Sequence, residues 1–503
     1  MNNIDETLNN EVGSVSSRAY IFLSSLAFLF SLSKPPDVIL LVFSAAPSTA
    51  FDDNPHAQGA ETIVSQWNLT EDRSWIPGFL QSIFYVGFMP GTIVFGQLSD
   101  RYGRKKISVI GYILVLIFQV ITGFCQNWQQ FAVCRAISGF LVGGLSVVTT
   151  ILIQETTGSK LWVLNGALGA IGFTANMLAF LWVAYLYPSW RQMYFITTIP
   201  GILGFVFLYI VPESPRWLLS RGKPDSAEKV MQKLSRWNGS PQTEYALLPG
   251  NAKEHQDKGH QNENRLMLQQ NYEYAQEQNA SRDEEGSIID LIRKPVLRYR
   301  AAILSLQWFT ASFVFYGITL GSGSFSSNFY VAYLISGLSQ LPSIPFTIYL
   351  MERSWAGRRR TLVCFMGLAA LCMFVMYIVS FGQDRSNYKL TLLVFGKLGI
   401  CGAFDLIYVY TAELFPTVVR NVGLGSMSFW ARVGGVIAPF LANLAVFSGS
   451  NDPFLAFGIV GLLSSVFAAF LPETRAKLIP NTFEEAELQE EDNDENSCNS
   501  ITC

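Results

Sequence analysis

The sequence predicts an all-α membrane protein with twelve transmembrane helices arranged as two pseudo-symmetric six-helix bundles. Half of the 503 residues are hydrophobic, whereas only 15% are charged. Long blocks of Leu, Ile, Val and Phe recur along the chain, and charged landmarks of the first half return in the second. A soluble core could not bury so many apolar blocks. The composition therefore predicts a multi-pass integral membrane protein.

Each block has the roughly 20-residue length that a helix needs to cross a bilayer core of about 30 Å. The twelve blocks are centred near residues 32, 88, 116, 142, 174, 200, 310, 340, 371, 401, 433 and 462. Proline interrupts the first and the eighth. Because Lys34-Pro35-Pro36-Asp37 divides the first block and no basic region leads into it, we predict a retained, broken helix and not a signal peptide.

Basic residues mark two short connections, which we call the first hinge (residues 100–106) and the second hinge (residues 352–360). They are Arg101, Arg104, Lys105 and Lys106 in the first, and Arg353, Arg358, Arg359 and Arg360 in the second. Lys and Arg are enriched in cytoplasmic loops, so both hinges and both termini are predicted to be cytoplasmic. The sequon at Asn68 then falls in an outer loop and predicts a glycan, on a protein of the plasma membrane.

Polar stretches predict the domain boundaries. A cytoplasmic N-terminus (1–18) precedes the first bundle (19–211), whose outer loop covers about residues 48–75. The cytoplasmic loop 212–300 has amphipathic helices at both ends and a polar centre that is predicted to be poorly ordered. The second bundle (301–471) leads into an acidic, solvated cytoplasmic tail (472–503).

Four landmarks recur in the same order, 254 to 262 residues later. Gly103-Arg104-Lys105 returns as Gly357-Arg358-Arg359, and Pro212-Glu213-Ser214 as Pro472-Glu473-Thr474. Glu155 is matched by Glu413, and Arg135 by Lys397. The nearly constant offset indicates a duplicated six-helix unit. Parallel repeats of this kind build alternating-access transporters with a site at the midplane between the halves.

Several of these stretches resemble a known family. GQLSDRYGRKK (96–106) resembles the signature loop of the major facilitator superfamily. PESPRWLLSRGK (212–223), AELFPTVVRNVGLGSMSFWARVGGVIAPF (412–440) and LPETRAKLIPNTFEEAE (471–487) resemble the organic cation/anion/zwitterion transporters, with YVYTAELFPTVVRN closest to the carnitine branch. Two features depart from that pattern. The outer loop after the first helix is short and lacks cysteine, and the second hinge is two residues longer before its glycine.

The resemblance implies a major facilitator fold and a charged gate, whose pairs bridge the halves in the outward-facing state and break in the inward-facing state. The gate residues are Asp100, Arg101, Gly103, Arg104, Glu155, Glu213, Arg216, Arg358, Glu413, Arg420 and Glu473. In the simpler alternative, the basic residues of the hinges only determine which ends of the helices face the cytoplasm, because exposed ion pairs contribute little to stability.

Two charges fall at membrane depth, where a charged group is costly and points into the protein or a water-filled cavity. They are Arg432 in the eleventh segment and Asp405 in the tenth. The resemblance implies that Arg432 binds a substrate carboxylate, and Asp405 is a second candidate contact. A zwitterion suits both charges. In the alternative, the two side chains simply neutralise each other.

The remaining intramembrane charges have other predicted roles. Arg135 and Lys397 are expected to serve packing or an outer gate; Lys34 and Asp37 are expected to pair locally, with substrate contact as the alternative. Aromatic faces attract quaternary ammonium groups, whereas many membrane aromatics only pack or face lipid. The candidate aromatic contacts are Trp308, Phe315, Tyr316, Tyr85 and Tyr408.

No phosphate-binding loop, catalytic constellation or metal-ligand spacing is visible, so the sequence predicts no enzyme, cofactor or metal site. The expected partners are a small organic ion, Na⁺ or H⁺ as a coupling ion at Asp405 or Glu413, and the bilayer; no nucleic acid is expected, and the protein is expected to be a monomer. The seven cysteines predict no extracellular disulfide framework. A sugar porter of the same superfamily and a non-transporting receptor or scaffold stay open as alternatives.

Overall fold

The computed structural model describes residues 16–34, 37–46, 51, 54–56, 60–157, 161–238, 288–321, 328–380, 386–416, 419–448 and 452–475. The polar centre of the middle loop and most of the acidic tail, for which we predicted disorder and solvation, lie outside the described residues.

Helices occupy all twelve predicted positions. Within the described residues, ten helices are long and apolar enough to cross a membrane, and two shorter apolar helices lie at the first and last positions. The first half contains α1a (Arg18–Ser33), α1b (Asp37–Ser44), α2 (Ile76–Tyr102), α3 (Arg104–Gly123), α4 (Trp128–Thr156), α5 (Trp162–Leu186) and α6 (Trp190–Ile210). The second half contains α7 (Pro295–Gly321), α8a (Phe329–Leu338), α8b (Ser343–Met351), α9 (Gly357–Val379), α10 (Ser386–Leu414), α11 (Arg420–Ser448) and α12 (Asp452–Ala468).

The two proline-interrupted segments are broken, as predicted. In the first, α1a ends before Lys34, whose backbone N–H still bonds to the carbonyl of Phe30. In the eighth, Ser339 caps α8a and Pro342 precedes α8b. Proline cannot continue a helical hydrogen-bond ladder, and broken helices at membrane depth are tolerated where they line a cavity or pack on protein. Each break therefore leaves backbone polar groups inside the molecule without a partner in the helix.

The middle loop differs from the prediction at its second end. The first amphipathic segment is a helix, Pro224–Asn238. The second was expected to lie along the membrane up to residue 300, but it is short (Ile288–Arg293), and α7 already begins at Pro295. Proline is favoured at the first helical position because its missing N–H has no intrahelical acceptor there.

Both halves repeat one packing scheme. In the first half α3 packs on α4 and α6, and α1a on α5; in the second half α9 packs on α10 and α12, and α7 on α11. Glycines allow the closest contact, between α2 and α4. A Cβ on Gly139 would lie 2.0 Å from the carbonyl oxygen of Phe84. Small residues at such contacts allow membrane helices to pack by close backbone approach.

The molecule has two distinct ends. We call the end with both hinges the hinge face; the other, with the α3–α4 and α5–α6 turns and the short helix Ile63–Trp67, is the opposite face. The halves contact each other mainly through α2 with α11 and α5 with α8a. These contacts extend from the opposite face to mid-depth, where Ser82 bonds to the Val436 carbonyl (2.6 Å) and Thr174 to Gln340 (3.0 Å).

Candidate functional site

A cavity of about 200 Å³ lies between the halves, where α5 faces α7, α8 and α10. Its lining combines aromatic rings with a few polar groups, which is typical of a small-molecule site. The residues that line it are Ala170, Phe173, Thr174, Phe315, Tyr316, Gln340, Ser343, Ile344, Cys401, Phe404 and Asp405. The cavity therefore includes three of the predicted contacts: Phe315, Tyr316 and Asp405.

Asp405 provides the cavity's carboxylate. One of its oxygens accepts a long hydrogen bond, 3.5 Å, from the Ser343 hydroxyl. Ser343 is available there because the break in the eighth segment places it at the first turn of α8b. Among the described ion pairs, none joins Asp405 to a cation. A carboxylate with one weak described partner beside open space can accept a cationic group.

Arg432 lies on the α2 side of the same region but does not line the cavity. Its guanidinium lies 4.4 Å from the centre of the Phe88 ring, and its side chain is only partly buried. In the described part of the chain no ion pair joins it to Asp405, so the mutual neutralisation that we considered is not observed. The two opposite charges are held apart.

Aromatic side chains connect Arg432 with the cavity. The Tyr85 ring contacts the Tyr316 ring at 4.9 Å, and Tyr316 meets Phe315 edge to face at 5.2 Å. Tyr85 is only 1% exposed, so in this state it supports the cavity wall and does not face the open space.

Trp308 also has a supporting position, contrary to the predicted direct contact. It is 1% exposed, donates its indole N–H to Thr411 (3.0 Å) and packs its ring on Tyr408 at 4.4 Å. Tyr408 itself is 44% exposed. Because the buried indole bonds to Thr411 and packs on Tyr408, both on α10, it can orient Tyr408 but cannot reach a ligand without repacking.

The charges of the broken first helix are paired differently from the prediction. Local pairing was expected between Lys34 and Asp37, but the Asp37 carboxylate faces Arg135 on α4 at 3.8 Å. The Lys34 ammonium lies instead over the Phe30 ring, 4.5 Å from its centre. Lys34 and Asp37 are only three positions apart in sequence, yet the break in the helix directs their side chains to different neighbours.

The two repeat-related cations lie inside their own halves. Arg135 is fully buried, stacks on Phe84 at 4.5 Å and contacts Gln81 at 3.4 Å. Lys397 is equally buried, donates to the Thr319 hydroxyl and to the Phe315 carbonyl (3.4 Å), and lies 3.6 Å from the Phe315 ring centre. These contacts favour the packing role, and Lys397 additionally holds a residue of the cavity wall.

In the first hinge, Arg104 pairs within its own half. It contacts Asp100 and, at 3.3 Å, the carboxylate of Glu155 at the end of α4. Glu213 accepts a hydrogen bond from the Lys105 N–H at 2.9 Å, which places its charge at the start of α3. A carboxylate at a helix N-terminus satisfies N–H groups that have no intrahelical acceptor.

The second hinge repeats this plan. Arg358 contacts Glu413 at 3.1 Å, and the N–H groups of Arg358 and Arg359 donate to Glu473 at 2.8 and 3.1 Å. These pairs also stay within one half. The resemblance implied pairs across the halves for a closed hinge face, and neither Arg104 nor Arg358 makes such a pair here. Arg101 lies over the ring of Tyr102 at 5.4 Å, and Arg216 and Arg420 each have partners of their own.

One contact between the halves was missed from the sequence. Asn54, in the segment after α1b, donates to the Tyr185 carbonyl (2.9 Å) and to the Tyr330 hydroxyl (2.8 Å) of α8a. Tyr330 in turn donates to the carbonyl of Ala184. The ring of Phe43 packs nearby on Phe329, at 5.2 Å. These residues close the opposite face, and no motif in the sequence singled them out.

Two repeated six-helix bundles with a cavity at their junction define a membrane transporter of the major facilitator type. The solved structures that resemble it include the xylose transporter XylE of E. coli, in a partially occluded inward open conformation and in an inward open conformation. The first has a TM-score of 0.65 at 18% identity and covers 90% of this chain and all of the other. The second has a TM-score of 0.65 at 19% identity and covers 93% and 99%. These similarities support the fold.

The family follows from the sequence comparisons. Residues 48–487 match the model of the family described as "Sugar (and other) transporter". The chain is 33% identical to a solute carrier family 22 member 15-like protein of Xenopus tropicalis, over 84% of this chain and 81% of the relative. It is 32% identical to organic anion transporter 3 of Sus scrofa and 30% identical to an organic cation transporter protein of Drosophila melanogaster, in each case over 85% of this chain and 74% of the relative. The chain belongs to this family of major facilitator transporters, within the solute carrier family 22 group, and is not an enzyme.

Proposed function

We propose that the protein moves small organic zwitterions, such as carnitine, or organic anions, by alternating access of its two halves. The observation that carries the proposal is the separation of Asp405 and Arg432. An acid lines the cavity, the partly buried Arg432 lies on its α2 side, and the two do not pair with each other. A ligand with both charges would give each of them a partner.

The aromatic wall supports a cationic head group at the Asp405 end. Phe315, Tyr316 and Phe404 line the cavity together with that carboxylate. Ring faces attract quaternary ammonium by up to about 2 kcal/mol where water is excluded. A substrate carboxylate would then extend towards Arg432, with Tyr85 and Tyr316 between the two ends.

The orientation is part of the proposal. The Lys and Arg residues of the two hinges favour a protein of the plasma membrane whose hinge face is cytoplasmic, with both termini on that side. The halves then contact each other at the outer face, and Arg104 and Arg358 pair with acids of their own halves, as expected of an inward-facing state. The exposed Asn68, at the end of the short helix on the opposite face, is available for a glycan. For ion coupling we favour Asp405 over Glu413, because Glu413 is already bound by Arg358 and Thr474.

Uptake into proteoliposomes tests the substrate class. We expect wild-type protein to accumulate carnitine or an organic anion, Arg432→Ala to lose about 10-fold or more in transport, and Arg432→Asp to favour an organic cation. A charge-assisted contact of about 1.5–3 kcal/mol corresponds to that loss. Arg432→Lys is the matched control, since it keeps the charge on the same helix.

The outcomes separate the alternatives. Equal loss for every substrate in Arg432→Ala and Arg432→Asp would contradict a binding role for this residue. Saturable uptake of a sugar without organic-ion uptake would favour the sugar porter, and specific binding without flux would favour the receptor. Repeating the assay with imposed Na⁺ and H⁺ gradients on wild type and Asp405→Asn tests the coupling ion.

A further inference from the structure

Two cysteines that are separate in sequence meet at the opposite face. Cys125 follows the end of α3, and Cys134 lies in the second turn of α4. Their sulfur atoms are 3.7 Å apart, and the Cys125 thiol donates a weak hydrogen bond to the Cys134 sulfur. We propose that Cys125 and Cys134 form a disulfide that staples the α3–α4 turn, a modification site that rests on the proposed orientation but not on the proposed substrate.

The backbone around the pair is already held in place. Arg191 at the start of α6 donates to the Cys125 carbonyl at 2.9 Å. The indole of Trp67 donates to the carbonyl of the next residue, Gln126, also at 2.9 Å. Asn127 caps α4 by accepting from the Gln130 N–H at 3.0 Å. With the chain fixed before and after the turn, side-chain rotation can bring the two sulfurs to the roughly 2.05 Å of a disulfide.

The environment of the two thiols assigns their roles. Cys125 is 5% exposed, whereas Cys134 is only partly buried and is the more accessible. The hydrogen bond to Cys134 and burial raise the pKa of the Cys125 thiol. Because thiolate is the reacting species, Cys134 attacks first and Cys125 resolves.

The reaction is a thiol–disulfide exchange with a disulfide-carrying oxidoreductase of the secretory compartment. The Cys134 thiolate attacks one sulfur of the donor disulfide, forms a mixed disulfide and releases one donor thiolate. Cys125 then loses its proton and attacks the Cys134 sulfur, which breaks the mixed disulfide and expels the second donor thiolate. The cysteine pair loses two electrons and two protons, and the donor becomes a dithiol. Because the opposite face lies on the outer side of the membrane in the proposed orientation, the pair meets this oxidising environment.

The bond would stabilise more than its own turn. The turn holds Trp67 through Gln126, and Arg191 also contacts Gln66, so the short helix Ile63–Trp67 is attached to the same corner. This staple would fix the position of the short helix relative to the α3–α4 turn. Closing the ten-residue ring restricts the unfolded chain.

Differential alkylation of the full-length protein, purified from eukaryotic membranes, tests the proposal. Free thiols are blocked under denaturing conditions; the protein is then reduced and labelled with a second, heavier reagent. We expect the second label on Cys125 and Cys134, and only the first on Cys364, Cys372 and Cys401, which lie in the other half and serve as internal controls. First label on Cys125 and Cys134, even after treatment of the folded protein with oxidised glutathione, would overturn the proposal.

A thermal assay adds a second readout. We expect dithiothreitol to lower the melting midpoint of wild type by roughly 3 °C and to leave a Cys125→Ser, Cys134→Ser double variant unchanged. An equal shift in both proteins would contradict the staple. Glycosidase treatment tests separately whether the opposite face lies on the outer side of the membrane. A glycan on Asn68 together with two reduced cysteines would support the proposed orientation and rule out the disulfide.

Discussion

The two hinges are built on one plan, and their differences indicate which parts of it matter. In both, a glycine with positive φ stands at the start of a new helix: Gly103 at 112° and Gly357 at 68°. In both, a glutamate from the end of the same half caps that helix, and an arginine one position after the glycine binds the acid that ends α4 or α10. These elements recur because together they fix the turn between two membrane helices.

The partners of the two arginines differ. Arg104 divides its donors among Glu155, Asp100 and the Ser99 hydroxyl. Arg358 directs its Nε and one Nη to Glu413, at 3.1 to 3.3 Å, and gives the other Nη to the Met351 carbonyl at 2.8 Å. The second hinge has two extra residues between Glu352-Arg353 and Gly357, compared with Asp100-Arg101 and Gly103 in the first. For Arg358, the Met351 carbonyl takes the place that Asp100 has for Arg104.

The two glutamate caps differ as well. Glu473 accepts from four backbone N–H groups, those of Arg358, Arg359, Thr474 and Arg475. Glu213 accepts from two, those of Lys105 and Ser214. The second hinge is therefore the more firmly bound, and the first has the more exposed and exchangeable contacts. We infer that stability is concentrated in the second hinge.

The largest effect is expected from the glutamate caps. Glu473→Ala should destabilise the protein by about 2–3 kcal/mol and Glu213→Ala by about 1–2 kcal/mol, because a lost cap leaves N–H groups of a helix terminus without an acceptor. Thermal unfolding in detergent measures both. Glu352→Ala, at an exposed acid near the second hinge, is the control. Equal losses for the two caps would remove the asymmetry that we infer.

The glycines should come next. Alanine at Gly103 would combine an unfavourable backbone angle with a Cβ placed 2.6 Å from a Glu213 oxygen, and at Gly357 the Cβ would lie 2.5 Å from a Glu473 oxygen. We expect a loss of about 1–3 kcal/mol at each, larger at Gly103 because its φ is further from the left-handed helical region.

Gly222→Ala is the matched control for these substitutions. Its φ is also positive, at 65°, but a Cβ there would meet open space. If the control loses as much stability as Gly357→Ala, whose φ of 68° it matches, backbone angle alone accounts for the effect, and the contact with the glutamate has no part in it.

A smaller difference is expected between the arginines. Arg358→Ala should cost about 1–2 kcal/mol, and Arg104→Ala less, because hydrogen bonds to charged groups contribute more than neutral ones and Arg358 makes more of them. Arg358 donates three hydrogen bonds to Glu413 at 3.1 to 3.3 Å, whereas Arg104 donates two longer ones to Glu155, at 3.3 and 3.4 Å. A double-mutant cycle of Arg104 with Glu155, beside one of Arg358 with Glu413, measures each pair. Coupling of Arg104 to an acid of the second half, and none to Glu155, would contradict pairing within a half.

Asp100→Asn should have the smallest effect, below about 0.5 kcal/mol, because the Asp100 side chain is 62% exposed and such pairs contribute little. Chemical unfolding at low and high salt measures it. A loss comparable to that of Arg104→Ala would mean that Asp100 is the main partner of that arginine.

The sequence by itself determined the architecture. Twelve apolar segments, the breaks in the first and eighth, and the repeated hinges with their glycines and glutamates could all be predicted, because hydrophobicity and backbone restrictions act locally. Asp405, Phe315 and Tyr316 could be picked from the sequence as candidate substrate contacts, since a charge or an aromatic ring at membrane depth is visible there, and all three line the cavity.

The tertiary structure decided which side chains meet. It paired Asp37 with Arg135 and not with Lys34, buried Trp308 behind Tyr408, paired Arg104 and Arg358 with acids of their own halves and brought Cys125 to Cys134. These outcomes depend on the rotation of each helix about its axis and on its distance from its neighbours. Packing against segments that are remote in the chain sets both quantities, so no local pattern contains them.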